Sequence, residues 1–88
     1  MNFGAALEEL KTGARVARAG WNGKGMWIVL VVVCDEDADF SYELSHLWEK
    51  DRGLRPLPWI GMKTADGGFV PWLASQTDIL AEDWEVVS

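Results

Sequence analysis

The side chains best equipped to grip a small ligand crowd into Ala19-Gly20-Trp21-Asn22-Gly23-Lys24-Gly25-Met26-Trp27. Trp21 offers an indole face for stacking. Asn22 offers an amide for a base edge or a ribose hydroxyl, and Lys24 an ammonium for phosphate. Gly23 and Gly25 let backbone N–H groups approach an anion closely, and Met26 closes the segment. The stretch is not a P-loop, because the glycine spacing and the Gly-Lys-Ser/Thr ending are missing. It also reads as a plain hairpin turn with Trp21 and Trp27 packed at its base, and local chain physics alone favours that account.

Two later segments carry related chemistry. In Met62-Lys63-Thr64-Ala65-Asp66-Gly67-Gly68, Lys63 and Thr64 sit before a tight turn and suit phosphate, while Asp66 suits a ribose hydroxyl. The simpler account makes Asp66-Gly67 the hairpin turn and Lys63 a solvated strand residue. In the run from Val70 to Trp84, Trp72 precedes Ser75, Gln76, Thr77 and Asp78, four polar side chains at a helix start. Free N–H donors and hydroxyls gather there. Ser75 and Asp78 also form a capping-box pattern that satisfies the helix itself, which leaves Gln76 and Thr77 unexplained.

Other chemistry is poorly provided for. His46 is the only histidine and lacks partners at zinc-ligand spacing. Cys34 is the only cysteine, so no internal disulfide forms. Asp35, Glu36, Asp37 and Asp39 read as a solvated acidic loop, without the glycine and closing glutamate of a calcium loop. No catalytic residue, metal site or cofactor is expected.

The elements needed to position these segments follow from periodicity. Asn2 caps a helix with Phe3, Leu7 and Leu10 on one stripe, and Gly13 ends it. Arg15 to Arg18 is a short strand, and Met26 to Val33 a β-branched strand covered on both faces. Ser41 to Lys50 is predicted as a second helix. Trp59 to Thr64 and Gly68 to Trp72 form a hairpin whose Pro71 belongs at a sheet edge. A helical turn follows Ser75, and Trp84 to Val87 closes the sheet. The fold class is α+β: a small antiparallel sheet with an N-terminal helix and a second short helix packed on it.

With 88 residues the chain makes one domain, 1–88, with a modest core, and assembly into an oligomer is a natural way to gain stability. Six tryptophans exceed what so small a core hides, which points to an aromatic pocket or a subunit interface. A net charge of −6 disfavours duplex nucleic acid and anionic membranes, though a compact anion can still occupy a locally positive pocket. The run from Met26 to Cys34 is too short to span a bilayer. With no signal peptide at the N-terminus, a cytoplasmic location is expected.

Taken in order, Asn2-Phe3-Gly4-Ala5-Ala6-Leu7, Val16 to Trp27, Lys63 to Gly67 and Val70 to Trp84 resemble the second class of Thoeris anti-defence proteins, found in phages and prophages. The stretch from Val32 to Leu57 carries no family motif. The resemblance implies a sponge that binds glycocyclic ADP-ribose, a nucleotide immune messenger, without cleaving it. Some members of the class also hold cyclic di- or trinucleotides. It further implies a homotetramer with ligand pockets between subunits. Carried onto this sequence, Trp21 would stack on adenine. Asn22, Gly23, Lys24, Gly25 and Met26 would line ribose and phosphates, helped by Lys63, Thr64 and Asp66. Trp72, Ser75, Gln76, Thr77 and Asp78 would form the opposite wall. Two rival classes remain: an acidic inhibitor that binds a host defence protein, and a small hydrolase of cyclic nucleotides. The fate of a bound nucleotide separates all three.

Overall fold

A computed structural model describes residues 1–21, 24–32 and 57–87. The expected helix at Ser41 to Lys50, the acidic loop, Cys34 and His46 lie outside the described residues.

The first helix, α1 (Phe3–Lys11), begins where Asn2 Oδ1 accepts the Ala5 N–H at 2.9 Å. It stops at Gly13, whose φ of +95° is cheap only for glycine. There the Gly13 N–H donates to the Leu10 carbonyl at 3.0 Å and the Ala14 N–H to the Glu9 carbonyl at 3.2 Å. This paired closure satisfies carbonyls that the helix end would otherwise orphan.

Strands β1 (Arg15–Arg18), β2 (Trp27–Val31), β3 (Trp59–Lys63), β4 (Phe69–Pro71) and β5 (Trp84–Val87) build one antiparallel sheet in the order β4-β3-β2-β1-β5. The second helix, α2 (Gln76–Leu80), lies between β4 and β5 in sequence and touches α1. Pro71 falls on an edge strand, where its missing N–H costs nothing. The predicted strand from Met26 to Val33 contains β2, which occupies the sheet centre. Its Ile28 and Val31 point to opposite faces and are both buried.

Register sorts the side chains. Val86, Val16, Ile28, Met62 and Val70 stand opposite one another across the five strands. This row faces α1, and the core consists of Ala6, Leu10, Val16, Ile28 and Trp84, with Phe3, Leu7, Trp21, Leu30, Ile60, Met62 and Trp72 packed against it. The other face carries Trp27, Val29 and Val31 of β2, opposite Lys63, Gly61 and Trp59 of β3. Arg15 lays its guanidinium over the Trp27 ring, 4.6 Å from the centroid. Phe69 lies across Gly61, where a Cβ would overlap its ring and come 3.1 Å from Trp59. A side chain at position 61 is thus excluded by the aromatics that cover it.

Candidate functional site

The site begins where β1 ends. After Arg18 the chain makes a single 3-10 turn, Ala19–Trp21, which tips Trp21 onto the helix side of the sheet. There it meets Trp84 edge-on, with centroids 5.3 Å apart and planes at 81°. Trp72, just past the β4 edge, meets the same ring at 5.9 Å and 85°. Phe3 of α1 packs against both, 5.3 Å from Trp84 and 5.8 Å from Trp72. Trp84 is only 2% exposed, while Trp21 and Trp72 are half-buried. Edge-on packing of this kind satisfies ring quadrupoles. It leaves two indoles partly open on either side of a sealed one.

The polar rim of this cluster is organised by Arg18. Its Nε–H donates to Asp83 Oδ1 and its Nη1–H to Asp78 Oδ1, both at 2.9 Å. The ion pair holds the Asp83 carboxyl below the usual carboxylate range and raises the Arg18 guanidinium above its ordinary value, chiefly through the hydrogen bond they share. Trp84 Nε1–H donates to the Asp78 carbonyl at 2.9 Å. Ser75 caps α2 as its sequence predicts, accepting the Asp78 N–H at 3.1 Å. Gln76 and Thr77 are exposed beside it.

The remaining predicted residues gather elsewhere. Lys63 Nζ donates to the Gly25 carbonyl at 2.8 Å, so it clasps the first turn to the second. Gly25 takes a φ of +67° in that clasp. Thr64 and Asp66 join each other by a hydrogen bond, and the Gly68 N–H donates to Thr64 Oγ1 at 2.8 Å. The Thr64 hydroxyl first, and second the Gly68 N–H, which also donates to Asp66 Oδ1 at 3.3 Å, lower the Asp66 pKa. Asp66-Gly67 makes the expected turn, with Gly67 at φ +92°. Lys24 and Gly25 are exposed and Met26 half-buried. The Lys24 N–H donates to the Trp21 carbonyl at 3.2 Å, which links this group to the aromatic cluster. Asn22 and Gly23 lie outside the described residues.

The structure thus brings together Trp21, Trp72, Ser75 and Asp78 in one cluster, and Gly25, Lys63, Thr64 and Asp66 in another. None of them lines the groove of about 390 Å³ on the far face of the sheet, which Arg15, Trp27, Val29, Val31 and Phe69 border. Sequence reasoning passed over Arg18, Asp83 and Phe3 as members of the cluster. Arg18 lies 60 residues from Asp78 and 65 from Asp83, and no local pattern signals such a pairing.

A family model described as the Thoeris anti-defense 2-like domain matches residues 1–87. The chain belongs to the Thoeris anti-defense 2-like family. It is also 41% identical to Thoeris anti-defense 2 of Bacillus phage SP01, over 100% of this chain and 96% of that relative. Membership gives this Thoeris anti-defense 2-like chain a phage anti-defence role. Among the described residues no helix is long and apolar enough to cross a membrane.

Proposed function

We propose that the chain acts as a stoichiometric sponge: it binds and sequesters a glycocyclic ADP-ribose messenger, or a cyclic di- or trinucleotide of related chemistry, without cleaving it. The observation that carries this reading is the pair of half-open indoles, Trp21 and Trp72, braced against the buried Trp84. A flat heteroaromatic base is the natural partner of such rings, at about 1–3 kcal/mol for each base stacked. Exposed Gln76 and Thr77 offer amide and hydroxyl groups beside them. Lys24 and Lys63 supply positive charge in a chain that is otherwise acidic, and the exposed Lys63 bond to Gly25 is one a phosphate can take over. Asn22 and Gly23, between Trp21 and Lys24 in sequence, complete the set in this reading.

Binding without chemistry fits the electrostatics. The carboxylates nearest the indoles, Asp78 and Asp83, both pair with Arg18. Asp83, whose pKa the Arg18 hydrogen bond lowers, is a poor proton donor at neutral pH. Sequestration demands tight binding instead, and nanomolar affinity corresponds to about 12 kcal/mol. Pockets enclosed between subunits help reach it. Exposed Val70, Leu73, Leu80 and Val86 supply apolar surface for self-association, in this reading into a homotetramer. The protein then works in the host cytoplasm, where the messenger is made.

The test is the fate of the ligand. Purified protein is saturated with glycocyclic ADP-ribose, freed of excess, and heat-denatured, and the released molecule is identified by mass spectrometry. Intact messenger is the expected result. A cleaved product would make the chain a hydrolase, and no retained nucleotide would point to a protein partner.

A further inference from the structure

Three segments supply the tryptophans of the cluster, and each also carries one member of the ion triad. Arg18 stands three residues before Trp21, Asp78 six residues after Trp72, and Asp83 immediately before Trp84. The triad sits at the seam where these segments meet. Arg18 is the β1 residue paired with Trp84 across the ladder, and the Ala19 N–H donates to the Asp83 carbonyl at 3.0 Å. The guanidinium then reaches both carboxylates from one planar fork, at 2.9 Å each. The Trp84 indole is tied to α2 through the Asp78 carbonyl. The triad is largely screened from water at Arg18 and Asp78, with side chains 22% and 17% exposed.

Packing alone constrains these rings weakly. Trp21 touches Trp84 along a ring edge, and Trp72 does the same from its own segment. Edge contacts of that kind permit sliding, whereas two hydrogen bonds from one rigid fork fix distance and angle together. Trp21 ends a single 3-10 turn that contains Gly20, and Trp72, whose N–H donates to the Ile60 carbonyl at 2.9 Å, precedes three residues outside any helix or strand, so backbone bonds fix where each residue starts but not how its ring sits.

We infer that Arg18 is a positioning residue of the nucleotide site: by forking to Asp78 and Asp83 it sets the spacing of the Trp21 and Trp72 indoles about the buried Trp84. The inference rests on the sponge reading for its ligand, but the spacing itself can be tested apart from it. Arg18 touches no ligand in this scheme. Lysine cannot replace it, since one ammonium lacks the planar fork.

The experiment compares wild type, Arg18→Gln, Arg18→Lys and a surface control, Lys11→Gln, which removes only the exposed pair with Glu8 at 3.2 Å. Two quantities are read at a temperature where each protein is folded. One is the set of indole N–H resonances in an ¹H–¹⁵N spectrum, assigned by substituting each tryptophan. The other is the Kd for glycocyclic ADP-ribose by calorimetry. Arg18→Gln should shift the Trp21 and Trp72 indole signals and weaken binding at least tenfold. Arg18→Lys should do nearly the same, and Lys11→Gln should do neither. Unmoved indole signals in Arg18→Gln overturn the inference, as does full affinity in Arg18→Gln or in Arg18→Lys. If the indoles shift but wild type binds no messenger, the sponge reading fails and the assigned role at a nucleotide site falls with it, while the spacing device stands. Should Arg18→Gln not fold, Asp83→Ala keeps the pairing with Asp78, removes one arm of the fork, and is expected to move the same signals.

Discussion

Truncating Trp21 separates the stability of this fold from its binding. The ring is half-buried and meets Trp84 edge-on at 5.3 Å. An aromatic pair contributes about 0.5–1.5 kcal/mol beyond the area it buries. Full burial of a tryptophan makes its removal cost about 3–5 kcal/mol, so a half-buried ring should cost roughly 2 kcal/mol. That is less than the roughly 5–10 kcal/mol expected for a domain of this size, and Trp21→Ala should stay folded. Its effect on the ligand is separate. Losing a stack of about 1–3 kcal/mol weakens Kd by about fivefold to 150-fold, since each 1.4 kcal/mol is a factor of ten. Calorimetry with glycocyclic ADP-ribose reads this directly. Trp21→Leu sharpens the comparison: leucine restores apolar contact with Trp84 but has no flat face, so stability should recover while affinity does not. An unaltered Kd in Trp21→Ala, or affinity recovered in Trp21→Leu, would refute the stacking argument.

Further outcomes follow from the same geometry. Gly61→Val should lower stability by about 1–3 kcal/mol, as overpacking does, because Phe69 lies where the new side chain must go. A denaturant midpoint equal to wild type would count against that contact. Asn2→Ala should cost about 1 kcal/mol by removing the cap on α1, read as a lower thermal midpoint. Acid should destabilise the fold through Asp83 and Asp66, whose folded pKa values are depressed. Their contribution is complete above about pH 5, where the unfolded carboxyls are also ionised, and is lost as pH falls through the folded values. Arg18→Gln should flatten the part of that decline due to Asp83, and an identical acid titration for variant and wild type would contradict the pairing.

Local signals in the sequence located most of the elements, because each reports a rule the backbone obeys on its own. Asn2 and Gly13 bracket α1 since one accepts a free N–H and the other takes a positive φ. Asp66-Gly67, Pro71 and Ser75 mark a turn, an edge and a cap for equally local reasons. The β-branched run around Ile28 announced a strand buried on both faces. Of the strand expected over Met26–Val33, Met26 and Val32 fall outside β2, because ladder pairing and not residue type ends a strand. The candidate site was legible as a set of residue types, yet its grouping was not. Lys63 closes on the Gly25 carbonyl, and Asp78 on Arg18, through contacts 38 and 60 residues apart.

By itself, then, the chain's order of residues determined the α+β class, the α1 stripe, the hairpin and the identity of the indoles available for stacking. Tertiary structure alone decided that β1 lies between β2 and β5, and so that Arg18 meets Asp83 while Trp21 meets Trp84. Helix caps and turns are settled by bonds among neighbours, whose free energies depend on a few adjacent residues. Strand order and the convergence of three distant indoles depend on which burial of the whole apolar surface is lowest in free energy, and no short stretch of sequence contains that sum.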